Sequence, residues 1–185
     1  TATTDELGRE TQYAYDERGR LTVTTLPPDP DISPNPMTVT TAYDDAGNVV
    51  STTDANGHTT SFAYSSRSSR ISETNALNAQ STTAYDLTCN VTSTTDFSGA
   101  TTTFLYDTAN RLTSVTDALA HTTTYGYDAD GRQTTVTDPL NHTTTFAYSP
   151  RSSRISETNA LGNQTTFAYD AAGNRTGVTN ALNQT

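Results

Sequence analysis

Tyr43, Tyr64, Tyr85, Tyr106, Tyr127, Tyr148 and Tyr169 stand 21 residues apart every time. A strict period of that length means one supersecondary unit repeated along the chain, each copy packing on its neighbours. An earlier copy at Tyr15 lies 28 residues before Tyr43, so its unit is seven residues longer. The surplus falls in 26–37, LPPDPDISPNPM, where five prolines forbid a regular ladder and make one long irregular insertion loop. The segments Phe62–Leu77 and Phe146–Leu161, 84 residues or four units apart, differ only at Ser66 against Pro150. Copies so alike argue for a shared architectural role.

Each unit carries two turn signals of the same chemistry. The first is Asp-x-x-Gly, as Asp16 to Gly19, Asp44 to Gly47, Asp128 to Gly131 and Asp170 to Gly173. The second is Asp or Asn followed three residues on by Gly or Asn: Asp5 to Gly8, Asp54 to Gly57, Asn75 to Asn78, Asp96 to Gly99, Asp138 to Asn141, Asn159 to Gly162 and Asn180 to Asn183. In a type I turn the first Asp or Asn accepts a hydrogen bond from the backbone ahead. The Gly or Asn takes the left-handed conformation and closes the hairpin with a bulge. Between the turns, segments such as Thr143–Tyr148 (TTTFAY) alternate, placing Phe146 and Tyr148 on one face and Thr145 and Ala147 on the other. No apolar residues recur at helical spacing.

The expected fold is therefore all-β. Tandem 21-residue hairpins form an antiparallel meander of sixteen or seventeen strands over residues 1–185, about eight units as a single array belonging to a longer one. Open twisted sheets beyond ~10 strands curl, so this strip is expected to coil into a spiral, a shell wall or a solenoid-like fibre. Each hairpin is expected to bury one aromatic face on its neighbours, with Thr packed between the rings. No polar cap is visible at either end, and an uncapped strand edge is a template for pairing with other repeats, of this chain or a neighbouring one.

Composition alone points elsewhere. Leu, Ile, Val and Phe number only 27 of 185 and the net charge is −10, a balance typical of disorder. The 42 threonines and 10 tyrosines reverse that reading, because both favour strands. No apolar run approaches the ~18 residues of a membrane span, so no membrane insertion is expected. A sequence pI near 4.4 argues against a nucleic-acid partner. Cys89 is the single cysteine, which excludes an internal disulfide.

The candidates for chemistry are weak. His58, His121 and His142 share one repeat slot just after the second turn, which holds Ala79, Ala100, Asn163 and Gln184 elsewhere. Neighbouring slots lie ~10 Å apart by strand spacing, whereas zinc needs ligands at ~2.1 Å. These histidines therefore read as exposed edge residues. Turn aspartates could form a calcium ladder, but each offers one carboxylate already used in its own turn, and calcium wants six or more oxygens. Ser, His and Asp are abundant without forming a unique constellation, so no enzyme activity, cofactor or metal is expected. Arg20, Arg111 and Arg132 follow the first turn and read as surface ion pairs with its Asp.

Tyr13-x-Tyr15-Asp16-x-x-Gly19-Arg20-Leu21 and Tyr125-x-Tyr127-Asp128-x-x-Gly131-Arg132 resemble the YD-repeat (Rhs-repeat) family, over essentially the whole chain outside the insertion. The family includes bacterial Rhs and polymorphic-toxin proteins, cocoon-forming subunits of insecticidal toxin complexes, and teneurins. The resemblance implies repeats that spiral into a hollow shell, which in the toxins encloses a cytotoxic C-terminal domain. It gives Tyr15 and the seven phased tyrosines, with the Asp and Gly of the first turns, structural roles. It also implies a secreted or cell-surface bacterial protein with an enclosed toxin as partner. Two alternatives stand beside the shell: an extracellular filament of stacked repeats, and an adhesion or carbohydrate-binding module. The sequence departs from the pattern where Ser68, Ser152, Cys89 and Asn110 replace the turn Gly. Ser and Cys tolerate the left-handed region poorly, so wider turns are expected at those positions.

Overall fold

A type I turn closed by a left-handed residue is the element from which the structure is built. The computed structural model describes residues 1–28, 35–182 and 184. Half of the insertion loop (29–34) and the closing position of the last turn, Asn183, lie outside the described residues. In the described turns, the N–H of the fourth residue donates to the carbonyl of the first, and the first residue's N–H donates to the carbonyl of the fifth. At the turn after Tyr15 these are Gly19 to Asp16 at 3.0 Å and Asp16 to Arg20 at 2.9 Å. Between turns the chain is extended, and among the described residues there is no helix.

The chain falls into two compact units, Thr1–Ala84 with Thr94–Gly99, and Tyr85–Ser93 with Ala100–Thr185. In the first, eight strands pair antiparallel in sequence order: β1 (Ala2–Thr4), β2 (Glu10–Tyr15), β3 (Leu21–Leu26), β4 (Met37–Tyr43), β5 (Val49–Thr53), β6 (Thr59–Tyr64), β7 (Arg70–Thr74) and β8 (Gln80–Tyr85). β9 (Val91–Thr95) is divided between the units. In the second, β10 (Thr101–Tyr106), β11 (Leu112–Thr116), β12 (Thr122–Tyr127), β13 (Gln133–Thr137), β14 (Thr143–Tyr148), β15 (Arg154–Thr158), β16 (Gln164–Tyr169) and β17 (Arg175–Thr179) do the same. The all-β antiparallel meander expected from the sequence is thus the observed fold. Leu26 pairs directly with Met37, so β3 and β4 each take one residue from the insertion as the sequence bounded it.

Seven first hairpins carry a second irregularity. The phased tyrosine faces the first residue of the return strand, the next return residue is skipped, and the alternation resumes. Tyr148 faces Arg154 while Ala147 faces Ser156, leaving Ile155 as the extra residue. The same bulge recurs beside Tyr15, Tyr43, Tyr64, Tyr106, Tyr127 and Tyr169. Such bulges increase local twist and re-aim side chains.

The register separates two unlike faces. One carries Phe104, Tyr106, Leu112, Val115, Tyr125, Tyr127, Val136, Phe146 and Tyr148. The other carries small hydroxylated rows such as Ser114–Thr124–Thr137–Thr143, cross-bonded between hydroxyls at Thr116–Thr122 (2.8 Å) and Thr137–Thr143 (2.9 Å). The expected burial of the aromatic face falls short. No hydrophobic side chain among the described residues is fully buried, and the phased tyrosines are half-buried apart from the more exposed Tyr15. The reason is architectural, because within each unit the strands extend sideways and no second layer covers the rings.

The expectation of wider turns at Ser68, Ser152 and Cys89 is corrected. All three take left-handed φ of 59°, 63° and 69° and close the same hydrogen bond as glycine does. At the serine turns, the Oγ of Ser65 and Ser149 accepts the N–H of Ser69 and Ser153 at 3.2 Å, which holds the turn shut in place of an aspartate. A left-handed non-glycine residue costs roughly 1–2 kcal/mol, partly offset by glycine's greater loss of chain entropy. Ser152→Gly is therefore expected to stabilise the fold by about 1 kcal/mol and raise Tm by about 2–4 °C in a thermal circular-dichroism melt. Gly131→Val, at φ +83°, is expected to lower it.

Candidate functional site

The phased tyrosine, the turn aspartate and the residue after the turn glycine come together at one edge of the strands. At the turn after Tyr15, Asp16 Oδ1 accepts the N–H groups of Arg18 and Arg20, both at 2.9 Å. Asp16 Oδ2 accepts Arg20 Nε–H at 2.6 Å. The other end of that guanidinium reaches the following repeat. Arg20 Nη1 donates to the Asp44 carbonyl at 3.1 Å, and the guanidinium lies 4.6 Å over the Tyr43 ring. Tyr43 returns the contact, its hydroxyl donating to the Leu21 carbonyl at 3.0 Å.

The same tie repeats in the second unit. Arg111 binds Asp107 at 2.7 Å, the Asp128 carbonyl at 2.9 Å and the Tyr127 ring at 4.8 Å, while Tyr127 donates to the Leu112 carbonyl at 2.8 Å. Arg132 binds Asp128 at 2.7 Å, the Ser149 carbonyl at 3.1 Å and the Tyr148 ring at 5.3 Å, while Tyr148 donates to the Gln133 carbonyl at 2.8 Å. Arg20, Arg111 and Arg132 are thus more than the surface ion pairs read from sequence, because each is a two-ended clamp joining consecutive repeats. Arginine suits the role because its fork donates along two directions while its flat face stacks on a ring.

Where arginine is missing, a shorter amide does part of the work. Asn48 Nδ2 donates to Asp44 at 2.8 Å and onward to Ser68 Oγ at 3.2 Å, and Asn90 bridges Asp86 and Asn110, both at 2.9 Å. Asn174 Nδ2 donates to Asp170 at 2.9 Å, and the Tyr169 hydroxyl donates to the Arg154 carbonyl at 2.9 Å. Tyr64 and Tyr106 end their strands in the same half-buried position, as does Tyr85. Gly47, Gly131 and Gly173 hold left-handed φ at the fourth position of their turns, as Gly19 does.

The second-turn edge is built differently. His58, His121 and His142 are exposed, and each places Nδ1 near its own turn aspartate: Asp54 at 3.1 Å, Asp117 and Asp138 at 2.9 Å. A carboxylate only accepts, so Nδ1 carries the proton there. Sequence reading missed the Asp117 turn, because Ala120 closes it in place of Gly or Asn, at φ 64° with its N–H 3.0 Å from the Asp117 carbonyl. Ala120 lacks a turn-residue signature, and only the 21-residue phase could have located it. Among the described residues no three His, Cys, Asp or Glu side chains gather as a metal site.

A family model described as the RHS repeat matches residues 1–27, 43–83, 85–122, 106–143, 127–152 and 153–185. The chain belongs to the RHS repeat family. Its structure is similar over 93% of its length to the crystal structure of TcdB2–TccC3–Cdc42, at 14% identity and a TM-score of 0.65, covering 11% of that chain. It is similar over 95% to the Photorhabdus luminescens Tc holotoxin pore with a substituted TccC3, at 14% identity and a TM-score of 0.64, again covering 11% of that chain. The TcdB2–TccC3 crystal structure matches over 92%, at 14% identity and a TM-score of 0.64, with 11% of that chain covered. No curated protein sequence matches the chain. At this identity the likeness is one of fold, and the chain spans about a ninth of the length of these solved chains.

At ten turns the leading aspartate is held below the ordinary aspartate range. At Asp16 and Asp107 the leading cause is the backbone N–H of Arg20 and Arg111, joined by their guanidinium groups. At Asp44, Asp86 and Asp170 it is the side-chain amide of Asn48, Asn90 and Asn174. At Asp54 it is the backbone N–H of His58. A carboxylate whose folded value is lowered stabilises the fold fully above the unfolded value, near ~3.9 for Asp, and loses that contribution as pH falls. Tm is therefore expected to drop as pH is taken below about 4. Asp54→Asn is expected to shallow that drop, since Asn75 and Asn159 already serve in the same slot with an oxygen that does not titrate. An unchanged acid slope in the variant would contradict the assignment.

Proposed function

We propose that this chain is a non-catalytic wall segment of a large secreted or cell-surface bacterial protein whose RHS repeats enclose a toxin or other cargo domain. The observation that carries this reading is the clamp at the first-turn edge. At Arg20, Arg111 and Arg132 it commits Tyr, Asp and Arg to binding the next repeat. A sheet tied in that way extends by adding units, which is what a wall needs. The fold likeness to the Photorhabdus luminescens Tc holotoxin pore supports it, this chain spanning about a ninth of that one.

A filament of stacked repeats is the second reading, favoured by the near-identity of Phe62–Leu77 and Phe146–Leu161. Negative-stain electron microscopy of the full-length protein separates the two. The wall reading expects a hollow particle with its cargo domain inside, resistant to added protease until the particle is opened. Filaments would favour the second reading, and a compact solid globule would contradict both.

A further inference from the structure

The two edges of the strands differ in a way that turn geometry does not require. The third residue of a second turn is leucine at Leu7, Leu77, Leu119, Leu140, Leu161 and Leu182, and these side chains are 74–87% exposed. Asn56 and Ser98 fill the same position in two other repeats, so the turn itself accepts polar residues. On the opposite edge the third position is Arg18, Ala46, Arg67, Thr88, Ala109, Asp130, Arg151 or Ala172, and Leu87 is the one leucine in a described first turn. In the second unit Leu119, Leu140, Leu161 and Leu182 follow one another without interruption.

We propose that this leucine row is a self-docking edge, at which the second turns of one strip interlock with those of a second copy of the same repeat. Spacing selects the partner. Two strands per repeat put successive leucines ~10 Å apart, a gap about as wide as one incoming side chain. Only another strip of the same strand spacing stays in step over the three such gaps between Leu119 and Leu182. Charge permits the contact as well. The Asp117 and Asp138 carboxylates are engaged by His121 and His142, while Asn159 and Asn180 are neutral, so two such edges meet without facing rows of bare carboxylates. The first-turn edge differs in carrying charged side chains at its tips, as at Asp130 and Arg151. The inference does not depend on the wall reading, because coils of a shell and strands of a filament would use the same edge.

The test is sedimentation velocity of this chain under reducing conditions, which exclude cross-linking through exposed Cys89. Concentrations extend to about 1 mM, where a weak contact is populated, in about 0.15 M salt to screen the net charge. Concentration-dependent dimers are expected. The combined variant Leu119→Asn, Leu140→Asn, Leu161→Asn and Leu182→Asn is expected to weaken them by about tenfold or more. Its strand content is checked by circular dichroism, and Asn56 shows the residue fits this turn. Leu87→Asn, an equally exposed leucine on the other edge, is expected to leave association unchanged. A monomer at every concentration, or equal loss in Leu87→Asn, would overturn the proposal. So would binding of the chain to phosphatidylcholine vesicles that the fourfold variant abolishes, since lipid would then be the occupant.

Discussion

Within each unit the strands form one layer, and a single layer has nothing to press its apolar face against. Most domains stabilise a sheet by laying a helix layer or a second sheet on it. Here no hydrophobic side chain among the described residues is fully buried. The arrangement must therefore rest on what strands exchange sideways: ladder hydrogen bonds, cross-strand pairs, and the clamp from Arg20, Arg111 or Arg132 to the next repeat. Each clamp combines a charge-assisted bond to its own aspartate, a bond to a neighbour's carbonyl, and a stacked ring. Each tyrosine at the receiving end returns a hydroxyl bond. The tie thus runs in both directions across every junction where it occurs.

That dependence explains the composition. A layer with no core needs few aliphatics, and threonine serves it better, because its branched Cβ suits the strand and its hydroxyl pairs across it, as at Thr137 and Thr143. Arginine without lysine follows the same logic at the clamp, where an ammonium would lose the fork and the ring contact. The left-handed turn residue is the second constraint. It recurs at the short turns, whether filled by Gly131, Asn110, Ser152, Cys89 or Ala120. Tolerance at that position indicates that the hydrogen bonds around the turn, rather than glycine, decide its shape.

The period and the turn residues made the fold readable from the sequence. Asp-x-x-Gly marks a hairpin locally, and TTTFAY marks a strand locally, so neither needed tertiary information. The clamp was not legible because its far end lies outside its own turn. Arg20 reaches Asp44 across the insertion and Arg111 reaches Asp128 across 17 residues, distances that mean nothing until the register is known. The return-strand bulge at Ile155 was hidden for the same reason. Burial was overread, since alternation in Thr143–Tyr148 shows that two faces differ and not that either is covered. The leucines of the second turn were visible in the sequence, but their meaning depended on learning that they stand exposed along one edge.

Lateral ties, and not a hydrophobic core, hold these repeats together. Differential scanning calorimetry distinguishes the two, because the heat-capacity change of unfolding reports the apolar surface newly exposed to water. Globular proteins give about 12–15 cal/mol/K per residue. A sheet whose apolar face is already half in water should fall well below that, while keeping an enthalpy set by its hydrogen bonds. A value in the globular range would rule this out, because it would require a buried core that the single layer does not have.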